Sequence, residues 1–187
     1  MLAELLAHEG VRETCELRGR IGFMALHGGS LERATAEIAR QAAHESGASL
    51  YAVEQPEALQ WHVPSHLYDP AAAPNLQAFL EHVDVAISVH GYGREGFWTR
   101  LLLGGGNREF ARDAAARMRP HLAGFELIDD VEAIPRELRG LHPRNPVNLP
   151  SDGGFQLELP PRVRGLGPRG EPEYVDALVG ALVEVAA

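Results

Sequence analysis

Apolar residues occur in short runs separated by turn-forming residues, and this pattern predicts five strands. The runs lie at residues 21–26, 49–53, 83–89, 125–128 and 155–159. Weaker strand candidates lie at 60–63 and 99–103. Each run is far shorter than the roughly 20 apolar residues that a membrane-spanning helix requires, so no membrane association is predicted.

A helical period in the apolar positions predicts helices between the strands. They are expected at residues 31–44, 76–82, 108–118 and 174–185. Ser30 is suited to cap the first of them. Because strands alternate with helices, the sequence predicts an α/β fold with a mostly parallel sheet. A length of 187 residues fits a single domain over 1–187.

Composition and charge exclude several classes of function. All 17 basic residues are arginine, so chemistry that depends on a lysine Schiff base or a P-loop lysine is ruled out. The 26 acidic residues give a net charge of −9, which disfavours nucleic acid as a partner. Cys15 is the only cysteine, so no intrachain disulfide can form. The N-terminal residues lack the basic region of a signal peptide, and a cytoplasmic protein is expected.

The first candidate site is His27-Gly28-Gly29, which directly follows a predicted strand. Ligands of parallel sheets bind beyond the carboxyl ends of the strands. Glu32 falls in the first turn of the next predicted helix, so its carboxylate could face the same point as the His27 imidazole. Imidazole and carboxylate are suitable zinc ligands. Alternatively, Glu32 only complements the positive end of the helix dipole.

His90 repeats this arrangement, because it follows the predicted strand 83–89 and precedes Gly91. A set of two histidines and one glutamate leaves a coordination position for water, as in catalytic zinc sites. The alternative is a strand-end histidine that is hydrogen-bonded within a loop.

Glu158 lies in the predicted strand 155–159, where alternation places it on the same face as Gln156. A carboxylate in an apolar strand needs a partner or a site to face. It could act as a general base on water. Otherwise it is a solvated edge residue or the ion-pair partner of Arg162 or Arg164.

Several polar residues in predicted loops are candidates for substrate binding. Arg94 follows His90, and Arg108 follows a glycine-rich segment. Either guanidinium could bind a carboxylate or a developing oxyanion, although most arginines only solvate a surface. Asn145 and Asn148 lie in the loop 134–150, whose length is typical of functional or mobile loops. Their alternative role is ordinary turn formation.

Six segments together resemble one known family. They are Leu26-His27-Gly28-Gly29-x-x-Glu32, Trp61-His62-Val63-Pro64-Ser65 with Asp69-Pro70, Ser88-Val89-His90-Gly91, Gly104-Gly105, Asn145-x-x-Asn148 and Gly154-Phe155-Gln156-Leu157-Glu158. In this combination the chain resembles the poly-γ-glutamate hydrolase family, which has phage and bacterial members. The resemblance covers roughly residues 21–164.

The resemblance implies a fold similar to zinc carboxypeptidases, with a mixed sheet flanked by helices. It further implies that His27, Glu32 and His90 bind one Zn²⁺ ion and that Glu158 is the catalytic glutamate. His62 would line the site. The family often has Asn-Arg where this chain has Asn148-Leu149, so one substrate-contacting arginine is missing.

The predicted activity is therefore zinc-dependent hydrolysis of γ-glutamyl amide bonds, in poly-γ-glutamate or in γ-glutamyl peptides. A polyanionic substrate requires a locally positive cleft, which Arg94, Arg108 and Arg144 would form if they converge. If they do not, a small N-acyl amino acid or a short peptide is the better substrate. A different small-substrate zinc amidase or deacylase, and a non-catalytic binding module on the same fold, remain as alternatives. The oligomeric state is not indicated.

Overall fold

Seven strands form one sheet in a computed structural model that describes residues 1–187. The strands are β1 (Arg12–Glu16), β2 (Ile21–Gly29), β3 (Ser49–Gln55), β4 (Val85–Gly91), β5 (Arg100–Leu103), β6 (Glu126–Ile128) and β7 (Gly154–Leu159). The helices are α1 (Leu2–Leu6), α2 (Thr35–Ser46), α3 (Pro74–His82), α4 (Arg108–Met118) and α5 (Pro172–Ala186). Short 3₁₀ turns lie in the connecting segments.

The strand order is β1-β3-β2-β4-β7-β5-β6. The four central strands β3, β2, β4 and β7 are parallel to one another. Antiparallel pairing occurs at β1 with β3 and at β5 with β7, and β6 is parallel to β5. The predicted mixed, mostly parallel sheet is thus confirmed.

Helices cover both faces of the sheet. Phe155, Leu157 and Leu159 alternate along β7 and are buried on the face covered by α2, α4 and α5. The opposite face is closed by α1 and α3, which contribute Leu5 and Phe79 to a second core. None of the helices combines the length and the apolar character needed to cross a bilayer.

The predicted elements agree with the structure wherever the apolar pattern is strong. All five stronger strand predictions, the weaker one at 99–103 and all four predicted helices correspond to observed elements, with differences at their ends. Neither α1 nor β1 was predicted. The sequence of β1 is mostly polar because it is an edge strand, so it carries little strand signal.

The strand predicted at 60–63 is wrong. This segment has no regular secondary structure, and the side-chain amide of Gln55 hydrogen-bonds to the backbone of Trp61 within it. Gln55 donates to the carbonyl oxygen of Trp61 at 2.9 Å and accepts from its N–H at 2.8 Å.

Helix α2 begins four residues later than predicted, at Thr35. Ser30 does not cap it, since its hydroxyl lies 2.8 Å from the carbonyl oxygen of Pro56. Ala34, immediately before the helix, has a left-handed conformation with φ of 69°. Glu32 therefore lies in the turn that precedes α2 and not in its first helical turn.

Candidate metal centre

The candidate site forms where three adjacent parallel strands end. β2, β4 and β7 lie side by side, and they carry His27, His90 and Glu158 near their carboxyl ends. His90 and Glu158 are register partners across β4 and β7. The strand order thus brings together side chains that are far apart in the sequence.

The end of β2 is irregular, and the turn that follows it brings the chain back toward His27. The register between β2 and β3 shifts after Ala25. Gly29 has φ of 74°, and a Cβ atom there would lie 2.2 Å from the carbonyl oxygen of Gln55. Only glycine can therefore occupy this position without strain. The following turn is closed by the N–H of Glu32, which donates to the carbonyl oxygen of His27 at 2.9 Å.

His27, Glu32 and His90 form a compact set of donor atoms. Glu32 Oε1 lies 2.8 Å from His27 Nδ1, and Glu32 Oε2 lies 3.3 Å from His90 Nδ1. One ligand atom from each residue lies within 4.8 Å of the others. Zinc–ligand bonds of about 2.0–2.1 Å in a tetrahedron place ligand atoms about 3.3 Å apart. The three residues could therefore hold one metal ion.

The outer hydrogen bonds of the two imidazoles suit metal binding. His27 Nε2 lies 2.9 Å from the carbonyl oxygen of Val63, which can only accept, so Nε2 carries the hydrogen. In the neutral imidazole, the Nδ1 lone pair then faces the Glu32 carboxylate, and two such lone pairs repel unless a proton or a cation lies between them. His90 Nε2 lies 3.0 Å from the Ser88 hydroxyl oxygen. Metal-ligating histidines usually have such outer partners.

The electrostatics of the set favour positive charge at its centre. Burial opposes ionisation of Glu32, but His90 and His27 outweigh it and hold the pKa of Glu32 well below its usual range. Burial likewise opposes protonation of His90, yet the facing Glu32 raises the pKa of His90. A buried carboxylate between two imidazoles thus attracts a cation.

Glu158 is the second buried carboxylate of the site, with 4% of its surface exposed. Burial raises its pKa to about 7, although the nearby His90 acts in the opposite direction. Gln156 donates to Glu158 Oε1 at 2.8 Å, so the two residues share a face as the alternation predicts. Arg162 donates to Tyr174 instead, and Arg164 donates to backbone carbonyls, so neither forms the alternative ion pair.

One cavity of about 540 Å³ is lined by the three candidate metal ligands and by Gln156 and Glu158. Two of the predicted substrate-binding residues also line it, namely His62 and Asn145. The His62 ring packs against His27 with 4.9 Å between ring centroids. Asn145 is buried, and its side-chain amide donates to Gln156 Oε1 at 2.9 Å. A polar chain of Asn145, Gln156 and Glu158 therefore follows the cavity wall.

Arg108 does not reach this cavity. Its guanidinium donates to the carbonyl oxygen of Gly104 at 2.7 Å and to that of Asp129 at 2.7 Å, so it joins the end of β5 to the segment after β6. The expectation that it binds substrate came from a glycine-rich segment. In the structure, the guanidinium donates hydrogen bonds to carbonyl oxygens of that segment and so is not free to bind substrate.

Arg94 and Asn148 also lie outside the lining of the cavity. Arg94 forms an exposed ion pair with Glu137, with 2.7 Å between Nη1 and Oε1. Asn148 accepts from the N–H of Gly106 at 2.8 Å and donates to the carbonyl oxygen of Gly140 at 2.8 Å, so it joins two other segments of the chain and does not form the local turn given as its alternative. Arg144 lines a neighbouring cavity, so the three arginines proposed to converge do not meet.

Arg136 is the arginine that does line the cavity, and the sequence did not single it out. It is exposed and, unlike Arg94, has no carboxylate partner. The available signal was its position in the loop 134–150, whose length is typical of functional or mobile loops.

Comparison with known proteins identifies the family. Residues 3–166 match the family model described as poly-γ-glutamate hydrolase. The chain belongs to the poly-γ-glutamate hydrolase family. The resemblance drawn from the six sequence segments is thereby confirmed.

The relatives of this poly-γ-glutamate hydrolase family member include a prophage protein. The SPbeta prophage-derived UPF0714 protein YoqZ of Bacillus subtilis strain 168 is 32% identical over 150 residues, which are 78% of this chain. These residues cover 51% of YoqZ, so the chain spans about half the length of this curated relative.

Solved structures agree with the family's fold. A bacteriophage poly-γ-glutamate hydrolase has a TM-score of 0.74 at 22% identity, covering 97% of this chain and 93% of that one. The zinc-free apo form of YndL has a TM-score of 0.75 at 23% identity, covering 94% and 88%. A metallo-carboxypeptidase from Burkholderia cenocepacia has a TM-score of 0.54 at 8% identity, covering 99% and 66%. The fold is thus carboxypeptidase-like.

Proposed function

We propose that this protein is a zinc-dependent hydrolase that cleaves γ-glutamyl amide bonds. The observation that carries the proposal is the set of two imidazoles and one carboxylate within 4.8 Å, beside a second buried carboxylate on the wall of a cavity. Membership in the poly-γ-glutamate hydrolase family supports the reaction and the substrate class.

His27, Glu32 and His90 would hold the zinc ion. When bound, zinc polarises the scissile carbonyl group and makes water a stronger acid. The outer hydrogen bonds to Val63 and Ser88 orient the two imidazoles, so the ligand atoms are held in place before the ion arrives.

Glu158 would be the general base. Its buried carboxylate lies next to His90 on the neighbouring strand, which suits it to take a proton from the attacking water and to deliver it to the leaving amine. A pKa raised to about 7 by burial makes the carboxylate more basic than an exposed glutamate, and a nearby cation would lower this value. Gln156 fixes the orientation of the carboxylate through its 2.8 Å hydrogen bond.

Arg136 is proposed to bind a carboxylate of the substrate, in place of Arg94 or Arg108. We expect Arg136→Ala to raise KM for a γ-glutamyl peptide about 10-fold and to change kcat little, a loss of about 1.4 kcal/mol in binding. Steady-state kinetics measures both constants. Arg100→Ala is the matched control, because Arg100 pairs with Glu126 outside the cavity. An unchanged KM in Arg136→Ala would exclude this role.

A second candidate function is hydrolysis of a small N-acyl amino acid or a short peptide. It is favoured by the fact that Arg136 is the sole arginine in the cavity lining, which also includes Glu137. Such a lining offers limited compensation for the charge of a long polyanion that approaches an acidic protein.

Peptide assays of zinc-loaded protein test the proposal. We expect cleavage of γ-linked glutamyl peptides and poly-γ-glutamate, with α-linked peptides of the same composition left intact. Cleavage of short γ-glutamyl or N-acyl substrates alone would favour the second candidate. Absence of hydrolysis in all of these assays, in protein that binds one equivalent of zinc, would contradict the hydrolase proposal.

A further inference from the structure

Arg164 is a buried arginine that the mechanism above does not use. It ends the 3₁₀ turn Pro161–Arg164 that follows β7, and only 7% of its surface is exposed. Its hydrogen-bonding partners are backbone carbonyl oxygens and not carboxylates. Burying a guanidinium is costly, and the two carbonyl contacts together with the nearby negative charges of Glu32 and Glu158 compensate in part for the hydration that is lost.

The two contacts join the two segments that carry candidate metal ligands. Nη1 of Arg164 donates to the carbonyl oxygen of Arg33 at 2.7 Å, and Nη2 donates to the carbonyl oxygen of Tyr92 at 3.2 Å. Arg33 directly follows Glu32, and Tyr92 lies two residues after His90. One planar side chain thus bridges the turn after β2 and the turn after β4.

The guanidinium also packs directly against Gly91, the residue after His90. A Cβ atom at Gly91 would lie 2.5 Å from Arg164 Nη1. The N–H of Gly91 donates to Glu32 Oε2 at 2.9 Å. Glycine at this position therefore lets the backbone contact the carboxylate on one side and the guanidinium on the other.

The turn that carries Glu32 needs external support. Ala34 has φ of 69° and is the one residue other than glycine with positive φ in this chain. This left-handed conformation is disfavoured for a residue with a Cβ atom. The peptide group between Arg33 and Ala34 presents the carbonyl oxygen that Arg164 binds, so this hydrogen bond fixes the orientation of the strained turn.

We infer that Arg164 is a positioning residue that bridges the Glu32 and His90 segments and so holds both side chains in the arrangement that binds the metal ion. The inference rests on the metal centre of the proposed function. It predicts an effect on metal affinity that can be measured without substrate.

Arg164 could affect the metal through its charge or by positioning the ligands, and these two roles predict opposite changes in zinc affinity. A guanidinium near the site repels a cation, so if Arg164 acted only through its charge, neutralising it would tighten metal binding. If it positions the ligands, neutralising it weakens binding. The sign of the change therefore separates the two roles.

The experiment compares zinc dissociation constants of wild type, Arg164→Met, Arg164→Lys and Arg162→Met, by competition with a chromophoric chelator. We expect Arg164→Met to bind zinc about 10- to 100-fold more weakly, the range typical of residues that orient metal ligands. Arg164→Lys should lose nearly as much, because one ammonium group keeps the charge but cannot bridge both carbonyls. The visible absorption band of bound Co²⁺ should change in the same two variants.

Arg162→Met is the matched control. Arg162 lies in the same 3₁₀ turn, but its guanidinium donates to the Tyr174 hydroxyl and stacks on aromatic rings instead of contacting ligand-bearing segments. Its loss should cost stability and leave zinc affinity unchanged.

Unchanged or tighter zinc binding in Arg164→Met, with tight binding in wild type, would overturn this inference and leave the proposed metal centre standing. A wild type that binds no zinc would overturn the metal centre and this inference with it. If Arg164→Met does not fold, Arg164→Lys carries the test, since it keeps the charge but cannot bridge both carbonyl oxygens. The same weakening is then expected, and unchanged affinity would again overturn the inference.

Discussion

The Glu158→Gln variant is expected to keep its zinc and to lose hydrolysis by at least about 10²-fold, because an amide cannot accept the proton of the attacking water. The substitution preserves the size of the side chain, so the fold should be retained. The three proposed ligands are also untouched, and metal content should remain near one equivalent. The turnover of a γ-glutamyl peptide, measured with elemental analysis of the same preparation, tests both parts of the prediction.

A matched control is available on β3. Glu54 is also a buried glutamate, with 5% of its surface exposed, but it pairs with Arg12 and Arg40 away from the cavity. Glu54→Gln should therefore retain hydrolysis whatever it costs in stability. Undiminished activity in Glu158→Gln would remove Glu158 from the mechanism.

His27→Ala is expected to abolish stoichiometric metal binding. His27 provides one of three proposed protein ligands, and its loss leaves two. Removing a residue that hydrogen-bonds to a metal ligand typically weakens metal binding about 10- to 100-fold. The decrease expected here is larger, because a bond to the ion itself is lost. Hydrolysis should fall with metal content. Elemental analysis after dialysis, and the zinc dissociation constant, are the measurements.

His121→Ala serves as the control for general effects of removing a histidine, because His121 pairs with Glu184 at the surface. Thermal unfolding of both variants shows whether either has lost its fold. Near-stoichiometric zinc in a folded His27→Ala variant would contradict the assignment of His27 as a ligand.

Periodicity alone predicted the strongest elements of the fold. The alternation in β7 predicted that Gln156 and Glu158 share a face, and their 2.8 Å hydrogen bond agrees. Prediction failed where a side chain hydrogen-bonded to the backbone of another segment. Ser30 was expected to cap a helix but contacts the carbonyl oxygen of Pro56. The segment 60–63 was expected to pair as a strand, but the backbone of Trp61 hydrogen-bonds to the side chain of Gln55.

The structure brings the three predicted metal ligands together but leaves three of the five predicted substrate-binding residues outside the cavity lining. His27 and His90 follow strong strand patterns, and the carboxyl ends of parallel strands are a recurring place for ligands. No comparable sequence pattern supported the prediction for Arg108, and in the structure its guanidinium donates hydrogen bonds to backbone carbonyl oxygens. Arg136 was overlooked because a loop arginine has no periodicity that shows which way it points.

By itself, the sequence determined the fold class, the candidate ligands at strand ends and the family resemblance. These depend on residue patterns over short spans of chain, where sterics and hydrophobic periodicity act directly. Only the tertiary structure decided that β2, β4 and β7 are neighbours, that Arg136 faces the cavity, and that Arg164 bridges two turns. Strand order and loop paths are set by packing between distant segments, and no local pattern encodes them.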